Sequence, residues 1–209
     1  MRFPVFASFI AAMLLYSIFT KRAQKNNGFS EKDFWALENK ANATRRKSLD
    51  HLDYIVIPLH TLPMDVLEND SLIAEYHASI LQLSKEKIVN FTGISNTDLK
   101  IKYGTANIST LSRYDQYFTH LVRVLQDWAK RLYELDCHQE ALSVLEFAIS
   151  IRSDISASYY LAASLYKEFH THEKIQNLID AASSLNSVMK NSIVRTLQES
   201  DPGNGLPRF

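Results

Sequence analysis

A chain of 209 residues has room for one domain of ordinary size and an appendage. Its hydrophobic content of 46% supports a buried core, and its 5 Gly and 5 Pro argue against turn-rich all-β sandwiches and barrels. The net charge of zero hides an asymmetry, because residues 1–47 hold nine Lys/Arg against three Asp/Glu and the remainder hold 14 against 20. The basic end suits an anionic membrane surface, and the body shows no basic stripe with interleaved aromatics that would predict nucleic-acid binding.

The first predicted element is an apolar run, Phe3–Phe19, that contains no charged residue. As a helix it reaches about 25 Å, slightly less than a hydrocarbon core. Arg2, Lys21 and Tyr16 can reach the headgroup regions and make up the difference. We therefore predict a transmembrane anchor over residues 1–22 that contacts the lipid bilayer. A cleaved signal peptide is the alternative, but no small-x-small cleavage site follows the run.

Positive charges after the apolar run predict the orientation of the anchor. Lys21, Arg22 and Lys25 lie just downstream of it, so the positive-inside rule places the body of this single-pass cell-membrane protein in the cytoplasm. Four N-x-S/T sequons favour the opposite orientation if the chain enters a eukaryotic secretory pathway. They lie at Asn42, Asn69, Asn90 and Asn107. Because such short motifs arise readily by chance, the charge argument is preferred.

Residues 23–48 are predicted to form a basic linker and a juxtamembrane helix. Ser30 is the predicted N-cap, with Asp33 at the capping-box position, and the helix is expected to run to about Thr44. Phe34 and Trp35 can either lie on the bilayer surface or belong to a helix that packs on the body. We favour packing, through Phe34, Leu37 and Ala41.

Residues 49–112 are expected to form a helical N-terminal cap with an extended segment. Pro58 and Pro63 cannot donate to a β-ladder, so the segment around Tyr54–Ile57 is predicted to lie extended over the helices. Asp70 or Ser71 caps a helix that runs to Lys87. Ser95 caps a single turn that Gly104 ends. The connector formed by residues 95–104 is either a specific contact surface or a segment whose polar groups bond to its own backbone, and the second interpretation is favoured.

Residues 113–200 carry a pattern with a period of 34 residues. Apolar positions three and four apart predict amphipathic helices over Tyr114–Glu134 and Gln139–Ser150, and a second hairpin starts at Ser156. Equivalent positions pair as Ala129 with Ala163, Leu132 with Tyr166, Ala141 with Ile175, Leu145 with Ile179, and Ala148 with Ala182. A repeat buries its apolar face only on a neighbour. The ends are therefore expected to be covered by the helix that reaches Lys87 and by a helix over Asn186–Glu199, with residues 201–209 as a tail.

This pattern resembles the tetratricopeptide repeat family over about 70 residues. The resemblance rests on the period and on Ala141, Leu145, Ala148, Tyr159, Ala163, Tyr166 and Ala182. The chain departs from the family where Gly is usual, at Ala129 and Ala163, and where Pro is usual, at Ser153 and Ser187. The resemblance implies an all-α fold of antiparallel helical hairpins stacked as an α-α superhelix. With the stretches WALENKANATRRKSLD, IVNFTGISNTDLKIKYG and MKNSIVRTL, the chain is also similar to short membrane-anchored bacterial repeat proteins without assigned activity.

The resemblance further implies that ligands lie against the first helices of the hairpins. Carried over by position, this surface, called here the hairpin face, comprises Arg123, Gln126, Lys130, Tyr133, Glu134, Tyr160, Ser164, Lys167 and Glu168. Both charge signs and two tyrosines suit a peptide more than a nucleotide. An ordinary solvated helix face is the alternative.

The sequence points to binding rather than catalysis. The H-E-x-x-H, P-loop, G-x-G-x-x-G and G-x-S-x-G motifs are absent, so we expect no catalytic residue, cofactor or metal. The turn residues His138 and His172 occupy equivalent repeat positions, and such histidines are rarely metal ligands without further partners. The leading hypothesis is a membrane-anchored scaffold or adaptor that binds a protein or peptide. The alternatives are an exported, envelope-facing structural domain and an enzyme in which a pair such as Asp98 and His120 converges.

Overall fold

The computed structural model describes Met13 and residues 30–200, and within that part of the chain it is all-helical, as predicted. Eight α helices and one 3₁₀ helix, Thr105–Asn107, are present there, and no strand. The α helices are α1 (Glu31–Asn42), α2 (Ser71–Leu83), α3 (Asn96–Tyr103), α4 (Ile108–Glu134), α5 (His138–Ser150), α6 (Ser156–Glu168), α7 (Glu173–Ser183) and α8 (Lys190–Ser200). The predicted anchor over Phe3–Phe19 and the tail over 201–209 lie outside the described residues, apart from Met13.

The start of α1 forms the predicted capping box. The Ser30 side chain accepts from the backbone N–H of Asp33, and the Asp33 carboxylate accepts from the backbone N–H of Ser30. These bonds satisfy donors that would otherwise be unpaired in the first turn. The packing prediction is only partly right, because Ala41 is buried and Leu37 half-buried while Phe34 remains 47% exposed. The apolar spacing within α1 could not show that the body does not cover its first turn.

The segment between α1 and α2 is extended, as expected, and forms no sheet among the described residues. It makes a single antiparallel bridge, in which the N–H of Ile55 donates to the carbonyl of Ile88. Asp70 then caps α2 by accepting from the N–H groups of Leu72 and Ile73. The helix ends at Leu83, four residues before the predicted Lys87. Leu83 is buried and residues 85–87 are exposed, so the helix ends where its contact with the core ends.

The first hairpin helix, α4, is longer than predicted and begins at Ile108 rather than Tyr114. Its additional turns place Leu111 in a small second core, which also contains Leu52, Val89, Phe91, Leu99 and Tyr114. Polar residues around Leu111 obscure the helical period in the sequence. Only contact with residues distant in the chain makes these turns stable.

The turns that end α4 and α6 have the same backbone form. Asp136 and His170 lie 34 residues apart and adopt left-handed conformations, with φ of 59° and 56°. The next residue in each turn donates back across it, from Cys137 N to Leu132 O and from Thr171 N to Tyr166 O. This pattern closes a helix by satisfying its last carbonyl groups. The 34-residue sequence period is therefore matched by a period in local backbone structure.

One large core joins α2 and α4–α8. Its largest fully buried side chains include Trp128 and Tyr159, and it takes Ile73 from α2 and Ile193 from α8. Helix α2 packs on α4, and α8 packs on α6 and α7. Both predicted capping helices thus contact helices of the two hairpins, and the second begins at Lys190 rather than at the predicted Asn186.

Candidate functional site

The hairpin face is partly exposed and partly used for internal packing. Arg123, Lys130, Glu134, Ser164 and Glu168 are exposed. Gln126, Tyr133, Tyr160 and Lys167 are half-buried, and both tyrosines pack against the large core. The structure thus presents two anchored aromatic rings beside exposed charged side chains.

A hydrogen bond between the two first helices fixes one end of this face. The buried Ser158 hydroxyl of α6 donates to Oε1 of Gln126 on α4, at 2.5 Å. Gln126 is therefore a structural tie between the hairpins as well as a surface residue. Sequence reasoning missed Ser158, because a serine in an apolar helix gives no sign of its distant partner.

At the other end, His138 connects the first hairpin turn to the second hairpin. Its ring stacks on Tyr133 with centroids 4.6 Å apart, and its Nδ1 lies 2.5 Å from Oε1 of Glu168. The ring also lies 3.9 Å from the carboxylate of Asp136. Tyr133 and Glu168 are thus held in place by a residue that the sequence suggested only as a weak metal candidate. No group of three or more His, Cys, Asp or Glu residues in residues 30–200 is arranged to bind a metal ion.

The charges along α4 are arranged in pairs. Lys130 lies 3.8 Å from Glu134, and the guanidinium of Arg131 lies 3.6 Å from Glu134. Nη2 of Arg131 donates at 2.6 Å to the carboxylate of Asp70, whose other oxygen caps α2. The Arg131 guanidinium and the two cap N–H groups hold the pKa of Asp70 below its usual range. The pair fixes α2 against α4 next to the hairpin face.

A cleft of about 510 Å³ lies away from the hairpin face. It is bounded by the extended segment at Tyr54–Val56, the loop after Asn90, and the C-terminal ends of α5 and α7. The amide of Asn90 donates to the carbonyls of Ile151 and Arg152 and so closes the end of α5. The polar groups of this loop serve helix ends, which favours the structural interpretation of the connector before Gly104.

A second cavity, of about 460 Å³, lies between α2 and the extended segment. Its lining is mainly apolar and comprises Leu59, Met64, Glu68, Ala74, His77, Ala78 and Leu81. His77 is buried edge-on against Trp128, with ring centroids 5.1 Å apart, and its Nε2 has no partner among the described residues. Burial lowers the pKa of His77 and so favours the neutral ring.

The residues named for a possible enzyme do not meet at either cavity. Asp98 belongs to the cap of α3, where its N–H donates to Ser95 Oγ and its carboxylate accepts from the same hydroxyl. His120 is exposed on α4. Neither residue lines the 510 Å³ cleft or the 460 Å³ cavity.

The described residues contain no helix that is both long and apolar enough to span a bilayer. The apolar run Phe3–Phe19, in which the anchor is predicted, lies outside them. No family model, curated protein or solved structure was found to match the chain.

Proposed function

We propose that the protein is a membrane-anchored, tetratricopeptide-like helical module that binds a protein or peptide partner on its hairpin face. The observation that carries the proposal is the combination of the half-buried rings of Tyr133 and Tyr160 with the exposed side chains of Arg123, Lys130 and Ser164. Aromatic and arginine side chains dominate the energetics of protein interfaces. Rings that packing already holds in place lose little conformational entropy when a partner covers them.

The backbone of the stack supports the comparison with tetratricopeptide repeats. Two consecutive hairpins end their first helices with left-handed residues 34 positions apart, at Asp136 and His170. The Ser158–Gln126 hydrogen bond fixes the first helices side by side. A partner therefore meets a prearranged surface rather than two independent helices. The proposed role is non-catalytic and needs no cofactor.

Site-specific photo-crosslinking tests the binding face. A photoreactive side chain at Ser164 samples the hairpin face, and one at Gln176 on α7 is the matched control, since both positions are exposed. A partner band that forms from position 164 in intact cells and not from position 176 supports the proposal. The same band from both positions, or from neither, rejects the face.

A charge-reversal variant provides the binding measurement. Arg123→Glu with Lys130→Glu changes exposed side chains only, so the core stays intact. We expect at least a tenfold loss of affinity for the crosslinked partner, because like charges across an interface are strongly unfavourable. Unchanged affinity, with an unchanged circular dichroism spectrum, refutes the assignment of the face.

We propose that the body lies in the cytoplasm, with an exported, envelope-facing domain as the alternative. The two sequons at Asn90 and Asn107 do not favour export, because their amide nitrogens donate to backbone carbonyls. Asn42 and Asn69 are exposed. A C-terminal reporter active only in the cytoplasm decides the orientation, and activity of a reporter restricted to the exterior overturns our proposal.

A further inference from the structure

Helix α1, which follows the predicted anchor in the sequence, presents two aromatic side chains to solvent. Phe34 is 47% exposed and Trp35 55% exposed, and their rings form an edge-to-face pair with centroids 5.5 Å apart. Ala41 is buried against the body, but the body covers neither aromatic ring fully. An exposed aromatic pair of this size needs a partner more than a single scattered apolar residue does.

The second half of the helix is fixed to the body, beyond the turn that carries the two rings. Glu38 forms an ion pair with Lys100, and the Thr97 hydroxyl donates to the same carboxylate at 2.8 Å. Just after the helix, the segment at Arg46 and Lys47 is bound by Asn107. The buried Asn107 amide donates to the carbonyls of Lys47 and Tyr103 and accepts from Nε of Arg46. The helix that carries the aromatic pair is therefore tied to the body by an ion pair and several hydrogen bonds.

The charges around the pair indicate the kind of partner. Lys32 lies one turn before Trp35, and Lys40 and Arg45 follow it, all with exposed side chains. Of the three carboxylates of α1, Glu38 is engaged by Lys100 and Asp33 by the capping box. Glu31 contacts the indole N–H of Trp35 at 3.4 Å. The exposed surface of α1 and of the residues after it thus carries two aromatic groups and three cations, and none of these cations forms an ion pair within residues 30–200.

We propose that Phe34 and Trp35 insert into the headgroup region of an anionic bilayer, where Lys32, Lys40 and Arg45 contact lipid phosphates. Tryptophan prefers this interface because its ring is apolar and its N–H is polar. Basic residues next to a membrane segment add attraction to an anionic leaflet. The inference rests on the proposed function, since the predicted anchor over Phe3–Phe19 would hold α1 at the membrane.

The chain contains two tryptophans, and their environments make a fluorescence test specific. Trp128 is fully buried and Trp35 is exposed. The full chain is reconstituted in vesicles of phosphatidylcholine, with or without phosphatidylglycerol, that contain acyl-chain-brominated lipid. The difference between wild type and Trp35→Phe isolates the emission of Trp35. A matched control, Trp35→Phe with Val56→Trp, moves the exposed ring to the body, where Val56 is 81% exposed.

We expect brominated lipid to quench Trp35 but not a tryptophan at position 56. Replacing Lys32, Lys40 and Arg45 by Gln should reduce the partitioning of α1 into anionic vesicles by at least about fivefold, the effect of roughly one basic residue. Equal quenching at positions 35 and 56, or no quenching at 35, overturns the proposal. Flotation of the Phe34→Ser, Trp35→Ser variant with vesicles after a salt wash tests the anchor separately. A variant that still floats is held by the anchor over Phe3–Phe19, and one that does not float contradicts the anchor.

Discussion

The buried amide of Asn107 offers the sharpest test of how the N-terminal segment is attached to the body. Its side chain is fully buried and makes three hydrogen bonds, two to the carbonyls of Lys47 and Tyr103 and one from Arg46. Asn107→Ala removes all three, and the Tyr103 carbonyl then keeps only its bond from the Lys47 N–H.

The magnitude follows from the bonds that are lost. A buried hydrogen bond contributes about 1 kcal/mol, and an unsatisfied buried partner costs more. Three such losses predict a decrease of about 3 kcal/mol in the free energy of unfolding. For a chain of this length that lowers the midpoint of thermal unfolding by roughly 6–12 °C. Asn107→Asp should be at least as harmful, because its carboxylate would face two carbonyl oxygens.

Chemical denaturation followed by circular dichroism measures the loss, with Asn69→Ala as the matched control. Asn69 is exposed, so its replacement should change stability by no more than about 0.5 kcal/mol. Hydrogen exchange should in addition quicken at the Lys47 amide, which donates to Tyr103 at 3.0 Å. A loss below about 1 kcal/mol in Asn107→Ala, or unchanged exchange at Lys47, refutes the assignment of Asn107 as the tie.

Three further predictions concern the core and the connections. Gly104 has φ of 91°, and a Cβ there would lie 2.2 Å from the carbonyl oxygen of Arg45. Gly104→Ala should therefore cost about 3 kcal/mol, and an unchanged denaturation midpoint would contradict this. Ala148 is fully buried between helices, so Ala148→Trp should cost about 3 kcal/mol by overpacking; a folded variant of native stability would show that the hairpins are not closely packed there. Burial raises the pKa of Tyr159 to about 12, against about 10 when unfolded. The raised pKa therefore contributes roughly 2–3 kcal/mol to the free energy of unfolding, fully below a pH of about 10 and progressively less as the pH rises toward 12. Tyr159→Phe should flatten this loss of stability at alkaline pH. An identical loss of stability in the variant would argue against the assignment.

Much of the helical framework could be predicted from the sequence because the relevant interactions are local. The Ser30–Asp33 capping box, the Asp70 cap of α2 and the Ser95 cap of α3 all involve residues two or three positions apart. The stop at Gly104 is equally local. The period of 34 residues located the turn at Asp136 because the same turn recurs one period later.

The candidate binding face could be predicted only in part. Arg123, Lys130 and Ser164, which the family resemblance assigns to the hairpin face, are exposed. The sequence could not show that Gln126 bonds to Ser158, or that His138 joins Tyr133 to Glu168. The Gln126–Ser158 and His138–Glu168 contacts connect residues 32 and 30 positions apart, so they depend on how one hairpin lies against the next.

The sequence by itself determined the helical class, the caps and the two hairpins, because caps and amphipathic periods act within one or two turns of the chain. Tertiary structure alone decided three features. It set the start of α4 through Leu111 in the second core, the attachment of the basic segment through Asn107, and the exposure of Phe34. Each depends on which distant residues come within contact distance. Packing of the whole body decides which residues meet, and neighbours along the chain do not.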